Sequence, residues 1–483
     1  MNPLAALAIT LPRRGSRQLL ASLHGQLRAA ILDGRLRPGV RLPSTRHLAQ
    51  AYGLSRTTVV AAYDLLLSEG YVAARRGSGT VVAGSLPRAP ARPGPPAPGA
   101  RLRLSPTWRD ACPEPPASGA ADLPHCFRVG VPDVGLFPFE VWQRLGGRIL
   151  RGWRAAPPRE PDPQGLAALR EAIAKHVSYT RAVACGPQDI VVTSGAQQAF
   201  DLLARVLTTP GRTIVALEDP GYPPLRRAFQ LHGARIAAVA VDAEGIRVDA
   251  IPPRAAVVCV TPSHQFPLGT VLSAGRRTAL LESCQRRGAV VIEDDYDGEF
   301  RYADRPLDAL QTLDRSQSVF YVGTFSKSLM PDLRLGYVVA LPWALPSLVA
   351  AKRFADGPGA TLVQATAAAL IDEGHLARHL RKMQRVYAER RTVLLAGIAA
   401  LLDESLQVLP GVAGLHVALR LGRRYKEQEI LASASRLGVE LGVLAPYYLG
   451  RPAMQGLVMG YGAIGRAHIA EGLLRLRRVL RRR

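Results

Sequence analysis

The chain has 483 residues, 48% of them hydrophobic, with 62 basic residues against 38 acidic ones and a formal charge of +24. That length exceeds what a single core usually serves, so at least two domains are expected; the apolar content is that of a globular protein, and the charge suggests an anionic partner without alone identifying nucleic acid. Five cysteines, at 112, 126, 185, 259 and 284, are odd in number and lack CxxC spacing, which argues against a disulfide framework and a zinc site and for a reducing cytoplasm.

The first elements are helical. Leu19, Leu23, Leu27 and Ile31 recur every fourth residue, placing them on one face of a helix that ends near Gly34. A second helix is expected from Ser44 to Tyr52, stopped by Gly53, and Ser55 caps a third whose apolar face is Val59, Ala62, Tyr63, Leu66 and Leu67. The stretch YVAARRGSGTVV then reads as two short strands around a turn. Three helices, the last two joined tightly, followed by a basic hairpin describe a winged helix-turn-helix. Its third helix would enter the DNA major groove with Ser55, Arg56, Thr57 and Thr58, while Arg75 and Arg76 on the wing track the backbone or minor groove. Residues 1–83 hold eleven arginines against Asp33, Asp64 and Glu69, a net of +8 that suits double-stranded DNA, whereas a protein-interaction module is the blander alternative.

The segment RPGVRLPSTRHLAQAYGLSRTTVVAAYDLLLSEGYVAARRGSGTVV resembles the DNA-binding domain of GntR-type regulators, which implies Arg46, Arg56, Thr57, Thr58 and Gly77 as contacts. Val60 stands where some members of that family place a contacting arginine. After residue 83 the composition turns to proline and small residues, and 84–122 is expected to be a semi-rigid extended linker.

From Leu166 onward helical patterns alternate with the strands DIVVTS, TIVALE, AAVVCV, AVVIED, SVFYVG and LGYVVAL, so residues 123–483 are expected to form a mostly parallel α/β sheet with a smaller C-terminal α+β subdomain. The longest uncharged stretch, Leu335 to Ala351, is short for a membrane span and contains Pro342 and Pro346, so a soluble protein without a membrane partner is expected. In such sheets ligands bind at the carboxyl ends of strands. There the sequence places Ser194, Gly195, Ala196 and Gln197 opening a helix, Asp294 and Tyr296 after VVIE, and Thr324, Ser326 and Lys327 after FYVG, with Arg334 beyond. Lys327 is one of five lysines in a chain whose other 57 basic residues (62 less 5) are arginines. Only a primary amine, made neutral by burial, condenses with an aldehyde; a guanidinium stays charged. An aldehyde cofactor carrying a phosphate would use all these types: the amine for a Schiff base, Asp294 for a pyridine nitrogen, Tyr296 for a ring oxygen, Tyr222 for stacking, and hydroxyls and an arginine for the phosphate.

The stretches TPSHQFPLG, EDDYDGEFRY and GTFSKSLMPDLRLGY resemble a fold-type I pyridoxal-phosphate domain of the aminotransferase kind and, with the head, the MocR family of transcription regulators. The resemblance implies pyridoxal 5′-phosphate with Lys327 as its Schiff-base lysine, His264 or Gln265 lining the pocket, a cis bond at Phe266-Pro267, and a homodimer responding to the cofactor or to an amine or amino-acid effector. Two departures weaken amino-acid turnover: MQGLVMGYGAIG lacks the arginine that usually holds a substrate carboxylate, and no tyrosine precedes Asp162-Pro163-Gln164-Gly165 where one often crosses a dimer interface. The competing expectations are an active aminotransferase with an accessory DNA-binding head, and a DNA-binding scaffold with an empty pocket.

Overall fold

A computed structural model describes residues 9–12, 18–75, 79–84, 105, 108, 123–156, 161–302, 308–401 and 406–481. The chain divides into two compact units, residues 1–104 and 105–483. Apart from Gly84, Ser105 and Trp108, the expected linker lies outside the described residues, as do Arg76 and Gly77 of the expected wing.

In the first unit, helices Leu19–Leu32, Thr45–Tyr52 and Arg56–Ser68 precede antiparallel strands Val72–Arg75 and Gly79–Val82. Leu23, Leu27 and Ile31 of the first helix and Val59, Ala62, Tyr63 and Leu66 of the third share one core with Leu48 and Val82. Leu67, expected on that face, is instead 44% exposed, because a helix face repeats at three and four residues and position 66 already fills it. Ser44 and Ser55 cap the second and third helices by accepting the His47 and Thr58 amides, and Gly53 ends the second in the left-handed region at φ 61°.

The second unit is built on an eight-stranded sheet in the order Ile190–Thr193, Gly336–Val339, Val319–Thr324, Val290–Asp295, Ala255–Val260, Ile214–Asp219, Arg235–Asp242, Gly245–Ile246. All six expected strands are present and their side chains are mostly buried, which is why they read as continuous apolar runs. Gly336–Val339 is antiparallel to both its neighbours, an exception to the parallel expectation. Arg235–Asp242, second from the edge of the sheet, also carries an apolar run at 236–241, yet most of its residues are partly or fully exposed. The carboxyl ends of strands 190–193, 214–219, 255–260, 290–295 and 319–324 therefore lie along one edge of the sheet. A smaller four-stranded antiparallel sheet, Gln407–Val408, His416–Arg420, Gly456–Gly460 and Gly442–Val443, follows the long helix His375–Leu401. No helix among the described residues is long and apolar enough to cross a membrane.

Candidate cofactor pocket and DNA-binding surface

A cavity of about 550 Å³ opens at that carboxyl edge, and its walls include Ala196, Gln197, Tyr222, Asp294, Tyr296, Thr324, Ser326, Lys327 and Arg334. Residues up to 138 positions apart (334 less 196) are thus brought together, most because they end or follow a strand and Arg334 because it precedes the antiparallel strand Gly336–Val339. Gly195, at φ 80°, turns the chain from strand into the helix Ala196–Leu207, and a Cβ there would come within 3.1 Å of the Arg334 guanidinium. The glycine lets Arg334 reach the helix start, where it donates to the Ser194 carbonyl at 3.0 Å. The first amides of that helix have no helical acceptors. Ser194 itself donates its hydroxyl to Asp356 (3.0 Å), which Lys352 anchors from one helical turn away. Thr324 Oγ1 donates to Ser326 Oγ at 3.0 Å and accepts from the Ser326 amide at 3.1 Å, so the loop carrying Lys327 is cross-braced.

Lys327 Nζ donates to the carbonyl of Gly130. Burial lowers the pKa of this amine, opposed by the carboxylates of Asp297 and Asp294. Asp294 is buried and its Oδ1 has no hydrogen-bond partner, while burial, followed by the neighbouring carboxylates of Asp295, Asp297 and Glu218, pushes its pKa well above the usual range. Adjacent Asp295 faces the other way and is tied by Oδ2 to Arg181 Nε and Tyr321 Oη, each at 2.6 Å. The β-strand alternation separates the two: one carboxylate meets the cavity and the other a buried cation.

Tyr296 Oη donates to the His264 carbonyl at 3.0 Å and lies 2.9 Å from His264 Nδ1, which is also 2.9 Å from Asp297 Oδ2. His264, expected at the cofactor, is thus off the cavity wall: its ring sits behind Tyr296 because Asp297 holds it there. Gln265 is buried too and spends its amide on the Pro220 and Phe266 carbonyls at 2.8 and 2.7 Å. The Phe266-Pro267 bond is cis. His264, Asp297 and His416 bring their ligating atoms within 4.8 Å of one another. The backbone of Gly414, at φ 81°, closes against His264 and Asp297, since a Cβ there would lie 2.2 Å from His264 Cε1 and 2.4 Å from Asp297 Oδ2; a Cβ built on Gly269 or Gly411 would lie 3.3 or 3.7 Å from His264 Nε2. Tyr222 packs edge-on against Phe266 and Phe200, with ring centroids 5.4 and 6.3 Å away.

An aldehyde needs a neutral amine, a pyridinium needs a carboxylate with no other partner, and a phosphate needs unpaired amides beside an arginine. The cavity supplies an amine whose pKa burial lowers, a buried carboxyl oxygen with no hydrogen-bond partner among the described residues, and a helix start beside Arg334, so the donor set fits pyridoxal phosphate. Sequence reasoning missed Gly130, Arg226, Pro446 and Tyr447 on the walls and Asp297 behind them; of these only Asp297, within EDDYDGEF, lay in a stretch already singled out.

In the first unit Arg46, Ser55, Arg56, Thr57 and Arg75 are exposed and Thr58 is half-buried. Ser55 Oγ lies 2.8 Å from Thr57 Oγ1 and 2.7 Å from Thr58 Oγ1, so these hydroxyls form one cluster at the helix start.

Residues 20–82 match the family described as bacterial regulatory proteins, gntR family, and residues 159–444 match aminotransferase class I and II. A probable rhizopine catabolism regulatory protein MocR of Rhizobium meliloti is 35% identical over 94% of this chain and 92% of its own. The HTH-type pyridoxine biosynthesis transcriptional regulator PdxR of Corynebacterium glutamicum is 33% identical over 95% of each. Among solved structures, an alpha-aminoadipate aminotransferase of Thermus thermophilus, complexed with N-(5′-phosphopyridoxyl)-L-leucine, is 30% identical with a TM-score of 0.69, covering 79% of this chain and 95% of that one. A GntR-type DNA-binding unit, a pocket fitted to pyridoxal 5′-phosphate and near-full-length likeness to regulators together show that the chain belongs to the MocR-type transcription regulators, with an aminotransferase class I and II domain that binds pyridoxal 5′-phosphate.

Proposed function

We propose that the aminotransferase-like unit is a sensor, in which an amine or amino-acid effector, or the cofactor itself, alters the affinity of the winged helix-turn-helix for its operator. The observation that carries this reading is the pairing of a buried, partnerless Asp294 oxygen with a buried Lys327 amine in one cavity. Bound there, pyridoxal phosphate supplies an aldehyde that captures primary amines. Lys327 is the amine that holds it, Asp294 keeps its ring nitrogen protonated, Tyr296 meets the ring hydroxyl and Tyr222 covers the ring face. Ser194 to Gln197, Thr324, Ser326 and Arg334 bind its phosphate. His264 orients Tyr296 from behind. The strand Gly456–Gly460 brings no cation, and Arg451 is not on the cavity wall, which favours capture over turnover.

On the DNA side, Arg46, Arg56, Thr57 and Thr58 would meet the major groove, with Arg75, Arg76 and Gly77 at the wing and Ser55 holding the helix start. Two heads in a homodimer would read paired half-sites. The domain limits 1–83, 84–122 and 123–483 remain the organisation we propose, and the cytoplasm the compartment.

The test is a titration of DNA from the gene's own upstream region with the full chain, with and without pyridoxal phosphate and then with amines. A ligand acts only through differential affinity for two states, so the midpoint is expected to move several-fold with cofactor and not at all in Lys327→Ala. Equal midpoints in all arms would sink the sensing reading, and sustained turnover of an amino donor with a keto acceptor would favour the enzyme.

A further inference from the structure

The positive charge of the chain does not sit mainly in the head. Residues 123–483 hold 46 of the 62 basic residues and 32 of the 38 acidic ones, a net of +14 (46 less 32). Among the described residues six of those acids are buried against four of the bases, so burial leaves the surface no less basic. Two helices concentrate the charge. On Phe139–Ala155, Arg144, Arg148 and Arg151 fall three and four residues apart, and on His375–Leu401 so do Arg378, Arg381, Lys382 and Arg385; all seven are exposed. The two rows meet at His375, whose Nε2 lies 3.4 Å from Arg144 Nη2 and whose Nδ1 lies 2.9 Å from Arg378 Nη2.

Carboxylates do not answer these rows. Each helix carries one, Glu140 and Glu389, and Glu389 is held by Arg466 at 2.9 Å. Glu373, just ahead of the longer helix, takes Arg148. Arg151, Arg381, Lys382 and Arg385 make no hydrogen bond or ion pair with any described residue. Elsewhere on this unit Arg205, Arg247 and Arg475 are each matched by an acid close in the chain, Asp201, Asp249 and Glu471. Like charges four apart on a helix repel, and Arg144 with Arg148, Arg378 with Lys382 and Arg381 with Arg385 are all such pairs, so the rows do not help the unit to fold.

We infer that the two rows form a second DNA-binding surface, by which the aminotransferase-like unit holds phosphates of duplex lying beyond the site that the head reads. This goes beyond the sensing reading and rests only on DNA binding by the head. Charge selects an anion, and the tether to a GntR-type head selects duplex DNA among anions, because that head keeps DNA at high effective concentration. Each row runs about 10 Å along its helix, a length over which duplex DNA presents about six phosphate charges. Such contacts carry no sequence information, so the surface adds affinity without specificity.

The experiment measures binding of the full-length protein to the upstream DNA fragment, and to an unrelated duplex of equal length, across a salt series. Each phosphate contact contributes about 0.9 to the slope of log affinity against log salt. Arg381→Gln/Lys382→Gln/Arg385→Gln is expected to flatten that slope by about 2–3 and to lower affinity about tenfold or more at low salt, equally on both duplexes. Arg212→Gln/Arg227→Gln/Arg235→Gln removes the same charge from exposed positions elsewhere on the unit and is expected to keep the wild-type slope. Arg56→Ala, in the head, is expected to weaken the upstream fragment far more than the unrelated duplex. Unchanged melting and cofactor absorption report that each variant is folded. If the first triple variant keeps the wild-type slope, or the second flattens it as much, the second surface is overturned while the head's role stands; loss of binding to anionic phospholipid vesicles with DNA binding unchanged would overturn it in favour of a membrane. If wild type binds neither duplex, DNA binding itself falls and takes this inference with it.

Discussion

The recognition helix and the cofactor pocket treat their polar groups in opposite ways. At the start of Arg56–Ser68, Ser55 accepts the Thr58 amide and its hydroxyl is shared with Thr57 and Thr58, so the helix start is complete without DNA. In the pocket, Asp294 is buried with an oxygen that has no hydrogen-bond partner among the described residues. A surface that water can satisfy needs no ligand to be stable; a buried carboxylate without a partner is costly until something completes it. The head is therefore expected to be as well formed without its partner as with it, whereas the pocket stores an unmet demand that only its cofactor fills.

The sharpest way to break that contrast is Asp294→Asn. Loss of a charge-assisted hydrogen bond is expected to weaken pyridoxal phosphate by about 10–100-fold, measured by absorption titration, yet the cofactor-free protein should melt no lower than wild type because an amide removes a carboxyl group crowded by Asp295, Asp297 and Glu218. A lower melting point without cofactor would mean that Asp294 already serves the fold. Next in size is the head. Arg56→Ala is expected to cost about 1–3 kcal/mol of DNA affinity with no change in thermal stability, while Ser55→Ala should lower the head's stability by about 1 kcal/mol through the lost cap. Binding curves and melts of the two variants that failed to separate in this way would show capping and contact to be one function. The smallest effect concerns Glu218, buried behind the pocket, where it accepts from Thr261 and Gln265. Burial pushes its pKa up to about 7 from 4.5. The folded state therefore keeps a proton that the unfolded chain releases near 4.5, and the stability this gives is full below that pH and lost as pH rises through about 7. Glu218→Gln should flatten the fall in melting temperature between pH 5 and 8 relative to wild type; parallel curves would show that Glu218 stays ionised.

Much of this was legible because the chemistry lies where strands end. VVIEDD and VFYVGT announce buried strands by their apolar runs, and the residues at their ends and just beyond, Asp294, Tyr296, Thr324, Ser326 and Lys327, are at the cavity. The three head helices were equally readable from Ser44, Gly53 and Ser55, whose capping roles are local. What escaped was non-local. The Gly130 carbonyl meets Lys327 across 197 positions, and nothing in GVP marks it. Strand Arg235–Asp242 lies second from the edge of the sheet, between Ile214–Asp219 and Gly245–Ile246, and its little burial follows no period that its sequence shows. His264 reads as a pocket residue because it lies in a loop at the correct edge, but Asp297, two residues beyond the end of the adjacent strand, turns it inward.

The glycine backing of that histidine limits how the protein can change. A methyl group at Gly414 would collide with both His264 and Asp297, so no side chain can be added at that point of the rear wall while both stay in place. Room for change is left at the rim, where Arg226 and Tyr447 line the cavity and have no part in holding the cofactor in the reading above. Related regulators can thus diverge in what they respond to while keeping one cofactor, and a designer wishing to retune this one should leave the back wall alone and build libraries at the mouth.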